Sequence, residues 1–84
     1  MEEARESELE ELKRLVLIRE RDAAEAFEKM KTLLAQMLSE TSEAKRWEML
    51  GRLRVAESVL LSSVGKLLSS YRAYTAALER ALKR

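Results

Sequence analysis

Carboxylates, lysines and arginines carry almost all the chemistry this chain has to offer, because it contains neither histidine nor cysteine. Three catalytic routes remain with such a set: paired carboxylates acting as acid and base, a lysine of depressed pKa, or a serine activated by a lysine. The spacing favours none of them. Glu8, Glu10, Glu11, Glu25, Glu28 and Glu40 interleave with Lys and Arg at helical intervals, the pattern of a solvated helix face. A metal site inside a helical bundle draws on inward-facing Glu-x-x-His motifs, and zinc or haem draws on thiolate or imidazole. No Gly-rich phosphate loop is present, since glycine occurs only twice. Neither catalytic, metal-binding nor cofactor-binding residues are expected, and the chain reads as a non-enzyme.

Charge excludes further classes. Sixteen basic against fifteen acidic residues leave a net charge of +1. The two signs alternate along the chain, so no basic field forms to attract nucleic acid or an anionic membrane. A cysteine-free chain suits a reducing compartment, and a cytoplasmic location is expected. The acidic start Met1-Glu2-Glu3-Ala4-Arg5-Glu6 lacks the apolar stretch of a signal peptide. Charge-free runs reach only eight residues, as from Ser58 to Gly65, against the roughly 20 needed to span a bilayer. What remains is a soluble protein whose work is to contact other proteins.

The elements that would present such a contact are two long helices. Proline is absent, and the chain is rich in Ala, Glu, Lys, Leu and Arg, the composition of long helices and coiled coils. From Leu9, apolar residues recur at alternating spacings of three and four through Leu12, Val16, Ala23, Ala26, Met30, Leu33 and Met37, broken once by Arg19. Ser7 and Glu10 offer a capping box near the start, although Met1 to Glu6 could extend the helix. Ser39-Glu40-Thr41-Ser42-Glu43 is a cluster of cap-forming residues and marks the turn. Beyond it, Met49, Leu53, Ala56, Leu60, Val64, Leu67, Tyr71, Tyr74, Leu78 and Leu82 form a second seam. The expected fold is all-α: one antiparallel, coiled-coil-like two-helix hairpin domain over 1–84, with helix one over about 5–39, a turn over about 39–43 and helix two over about 43–83.

Folding at about residue 41 would set Met37 beside Arg46, Val16 beside Leu67 and Leu9 beside Tyr74, with Tyr71 and Tyr74 packing on Leu9 and Leu12. Two helices bury only one stripe each, so such a hairpin is thin. A partner, or a second copy, is expected to complete it into a bundle. From Val55 to Leu78 helix two carries only three charges, Glu57, Lys66 and Arg72, whereas a helix with one buried face keeps the other charged. Opposite the seam lie Gly51, Ser58, Ser62, Gly65 and Ser69, flanked by Trp47, Val55, Leu61 and Leu68. Leu17 and Ile18 of helix one fall level with Gly65 and Lys66. Leu17, Ile18, Trp47, Val55, Leu61, Gly65 and Leu68 are therefore the candidate partner-binding residues, the alternative being ordinary solvent contact. Trp47 either anchors a partner or caps the hairpin core, and Arg19 with Glu57 either forms a buried pair or reaches out to water.

One segment adds a resemblance. Ala44-Lys45-Arg46-Trp47-Glu48-Met49-Leu50, followed by Arg52, Ala56 and the apolar series Val59, Leu60 and Val64, resembles the second helix of the YscE/SsaE-like small co-chaperones of type III secretion needle subunits. The resemblance implies a cytoplasmic helical hairpin that pairs with a larger, tetratricopeptide-like helical chaperone to keep the needle subunit from polymerising early. It would put Trp47 where the family usually has tyrosine, and would make Leu50, Leu60 and Val64 the apolar surface. Helix two runs longer here than in that family, and Gly51 interrupts its start. The competing expectation is a homodimeric four-helix bundle serving as an assembly or scaffold module.

Overall fold

A computed structural model describes residues 2–83, with side chains described for 6–83. The protein is an all-α hairpin: α1 spans Glu2–Ser39, α2 spans Glu43–Leu82, and three residues join them. The rod measures 63 × 13 × 13 Å with a radius of gyration of 18.8 Å, where a compact chain of this length would have about 12 Å. Helix one begins earlier than the capping box at Ser7 implies. Ser7 lies exposed inside α1, five residues after its start at Glu2. Met1 and Arg84 lie outside the described residues.

The turn forms where the polar cluster places it, and it does so without glycine or any positive φ among the described residues. Glu40 organises it. Its carboxylate Oε1 accepts from the backbone N–H groups of Thr41 at 3.1 Å and Ser42 at 3.0 Å, while its backbone carbonyl accepts from Arg46 Nε at 2.6 Å. The bond from the Ser42 N–H holds the Glu40 carboxyl below its usual pKa against desolvation, the next largest influence, and Lys45, the Thr41 N–H and Arg46 lower it further. Ser42 then caps α2: its backbone is extended and its hydroxyl accepts from Lys45 N at 3.4 Å.

Burial defines which stripes meet. On α1 the half-buried or buried positions are Leu9, Leu12, Val16, Arg19, Ala23, Ala26, Met30, Leu33 and Met37, the seam read from the sequence. On α2 they are Met49, Leu53, Ala56, Leu60, Ser63, Leu67, Ser70, Tyr74, Ala77 and Ala81, with Leu50 and Leu78 half-buried at the flank. Here the expectation needs correcting: Val64 and Tyr71 sit at the seam's edge, each 38% exposed, and Leu82 points away at 75%. The physical reason is supercoiling. The seam of α1 keeps a strict seven-residue repeat, which winds left-handed. The stripe expected for α2 steps from Met49 to Leu60, Tyr71 and Leu82 in elevens, which would wind right-handed. Only a seven-residue stripe on α2 can stay against α1 for the whole length, and that stripe passes through Ser63, Ser70 and Ala77.

The contact is close because these residues are small. Val16, Ala23, Ala26, Leu53 and Ala77 are its buried apolar members, and Ser70 its buried polar one. The Ser70 hydroxyl is satisfied inside its own helix by donating to the Lys66 carbonyl at 3.0 Å. Leu9 shares a groove with Ala77 and Ala81, a turn beyond the expected Tyr74, since helical side chains lean toward their own N-terminus and antiparallel partners lean apart. Arg19 reaches Asp22 on its own helix at 3.9 Å rather than Glu57, so it extends out of the seam.

Candidate protein-binding face

Two contacts across the hairpin identify its edges. With the seam residues labelled a and d in the heptad, the Tyr71 hydroxyl donates to Glu20 Oε1 at 2.7 Å and both residues are e positions. Arg80 pairs with Glu8 at 3.5 Å and both are g positions. Antiparallel packing thus brings e beside e along one edge and g beside g along the other.

The g edge is polar. Glu8, Asp22, Lys29 and Gln36 of α1 run along it beside Arg52, Lys66 and Arg80 of α2, with Leu15 and Val59 as isolated apolar members. Arg19, Asp22, Lys29 and Lys66 share one groove there.

The e edge is different in kind. Positions b and e of one helix are neighbours, and on α2 they form a second seven-residue stripe outside the first: Trp47, Leu50, Leu61, Val64, Leu68, Tyr71, Leu78 and Leu82, interrupted by Arg54, Glu57 and Thr75. On α1 the matching positions are Leu17, Ala24, Phe27, Leu34 and Leu38, interrupted by Glu20 and Lys31. Glu20 bonding to Tyr71 places the two stripes on the same side of the rod. The most exposed large apolar residues of the chain belong to it: Leu61 at 76%, Leu82 at 75%, Leu38 at 72% and Trp47 at 67%. Near the turn the stripe dips into an open apolar depression of about 490 Å³ lined by Met37, Leu38, Trp47 and Leu50.

Of the residues expected to bind a partner, Leu17, Trp47, Leu61 and Leu68 fall in this stripe. Ile18 and Val55 lie one position farther round, exposed. Gly65 lies on the outermost line of α2 with Gly51, and a Cβ added at either glycine would meet nothing within 4 Å. Trp47 neither caps the core nor enters it. Sequence reasoning placed Val64, Tyr71 and Leu82 inside the hairpin, where they are exposed, and passed over Phe27, Leu34 and Leu38; Leu78, also expected inside, is half-buried at the seam's flank. The signal that finds them is a second heptad offset by one position from the first. Leu60, drawn in by the resemblance, is half-buried against α1, whereas Leu50 and Val64 belong to the outer stripe.

Surface ion pairs along single helices join Glu28 with Lys31 at 3.0 Å, Glu48 with Arg52 at 3.0 Å and Glu79 with Lys83 at 2.9 Å. Lys31 also stands over the Phe27 ring at 5.1 Å, shading part of the apolar stripe. Among the described residues no three acidic side chains converge as a metal site would require, and no helix is long and apolar enough to cross a membrane. No family model, curated protein or solved structure matches this chain.

Proposed function

We propose that this protein is a non-enzymatic protein-binding module, a co-chaperone or adaptor whose work is done by the apolar stripe on the e edge of its hairpin. The observation that supports this reading is the stripe itself, which runs the length of the rod and holds the most exposed large apolar side chains of the chain. The accessible surface supports it too: the chain exposes 6660 Å², where a compact monomer of 9.7 kDa would expose about 5,100 Å². Large contiguous apolar patches on soluble chains mark interaction sites, and an amphipathic helix pair of this shape is met by other helices packing in parallel grooves.

The resemblance of Ala44 to Leu50 and of the following apolar series makes a tetratricopeptide-like chaperone of a type III secretion needle subunit the first partner to test, in the cytoplasm. Such a chaperone, with its needle subunit, is to be co-expressed with this chain and with two variants. Leu61→Lys combined with Leu68→Lys should abolish copurification, and Ser58→Glu, on the outer line of α2, should leave it intact. A complex indifferent to the paired lysines, or lost through Ser58→Glu alone, would move the binding surface off the e edge and overturn the reading. The absence of any complex would remove the secretion-system assignment while leaving the stripe to be tested against other helical proteins.

A further inference from the structure

Resting on the reading of the e edge as the binding face, we propose that the stripe is covered in the isolated protein by a second copy of the chain. The two hairpins lie face to face about a two-fold axis, with their turns at opposite ends. Area is the first argument. A face 63 Å long and 13 Å wide has a footprint of about 800 Å², the surface that each partner contributes to a standard stable interface.

Charge is the second. From Glu10 to Leu38 on α1 and from Trp47 to Leu82 on α2, the stripe carries Glu10, Glu20 and Glu57 against Lys13, Lys31 and Arg54. A face of balanced charge does not repel its own copy, and a two-fold interface must be self-complementary.

Position along the rod selects the arrangement. With turns at opposite ends, each helix faces its own copy running the other way. Glu10 and Lys31 stand equally far on either side of the centre of α1 (Glu2–Ser39) and so meet across the axis. Leu61 and Val64 straddle the centre of α2 (Glu43–Leu82) and pack with their counterparts there. Trp47 and Leu78 are likewise equidistant from that centre, so the depression beside Trp47 receives Leu78 and Leu82 of the second copy. Glu20 approaches its own copy near the axis, the one like-charged meeting of this arrangement, and each of these carboxylates already accepts the Tyr71 hydroxyl. With both turns at the same end, α1 would face α2 instead, and Lys31 would meet Arg54 twice.

The chain has no natural cysteine, so single-cysteine variants report the geometry directly. The unmodified protein should sediment at twice 9.7 kDa, with a melting temperature that rises with concentration. A mixture of Leu61→Cys and Val64→Cys chains should form disulfide-linked dimers under mild oxidation, and a mixture of Trp47→Cys and Leu78→Cys chains should link to each other. Leu61→Glu should sediment as a monomer, and Ser58→Glu as a dimer. A dimer in which neither cysteine pair links would overturn the proposed arrangement. A loosely folded monomer that becomes rigid on a helical partner would overturn self-pairing but keep the binding role. A rigid monomer indifferent to every partner would overturn both.

Discussion

Helix α2 carries two stripes of identical period and opposite fate. The inner one is built from Leu53, Ala56, Leu60, Ser63, Leu67, Ser70, Tyr74 and Ala77 and meets α1. The outer one, from Trp47 to Leu82, carries larger side chains and meets water. The size of the apolar side chains does not decide between them, since the outer stripe has the larger ones. Continuity and closeness of approach do. No charge interrupts the inner stripe from Met49 to Ala81, while Arg54 and Glu57 break the outer one. Alternating large and small residues, set against Ala23 and Ala26, also let two helices approach closely enough for dispersion contacts along their whole length.

If the inner stripe holds the hairpin together, damage there should dominate. Leu53, 6% exposed, replaced by Ala should cost about 2–5 kcal/mol in urea denaturation, whereas Leu61→Ala, measured at concentrations too dilute for association, should cost less than about 0.5 kcal/mol. Equal losses would abolish the distinction between the stripes. Ala77→Leu tests size in place of apolarity. Extra methylenes at a buried position should destabilise by about 1–3 kcal/mol even though the residue becomes more hydrophobic, and a gain in stability would mean that the seam is not closely packed.

Gly65→Ala probes the side of α2 that faces neither α1 nor the stripe. The added methyl has open space, so helix propensity should raise stability by roughly 0.5–1 kcal/mol and leave association unchanged. Weakened association would return the small-residue line of Gly51, Ser58 and Gly65 to the binding surface.

The smallest effect lies where the stripes meet. The hydrogen bond to Glu20 raises the pKa of the Tyr71 phenol, with desolvation and the Glu20 charge acting in the same direction. A group whose folded pKa is raised contributes stability below its unfolded value, about 10 for tyrosine, and loses it as pH climbs through the raised value. Phenolate absorbance should therefore titrate at lower pH in Glu20→Ala than in the parent chain. An unchanged titration curve would mean that this cross-helix bond does not persist in solution.

Much of this architecture is legible in the residues. The turn follows from Ser39 to Glu43, because capping side chains act on neighbours in sequence and need no distant partner. The α1 seam follows from Leu9 to Met37, because it is the most regular apolar series on that helix. The outer apolar stripe was legible only in part. Leu17, Trp47, Leu61 and Leu68 stand out as apolar residues off the seam, but Val64, Tyr71 and Leu78 fit either stripe of α2 when that helix is considered alone.

Local composition and periodicity by themselves determined two long helices, the place of the bend and the inward face of α1, since each depends on interactions within a few turns of one helix. Tertiary structure alone decided which face of α2 turns inward and which hydrophobic residues are left exposed. That choice depends on supercoil hand, which is a property of two helices wound together and has no meaning for either one apart.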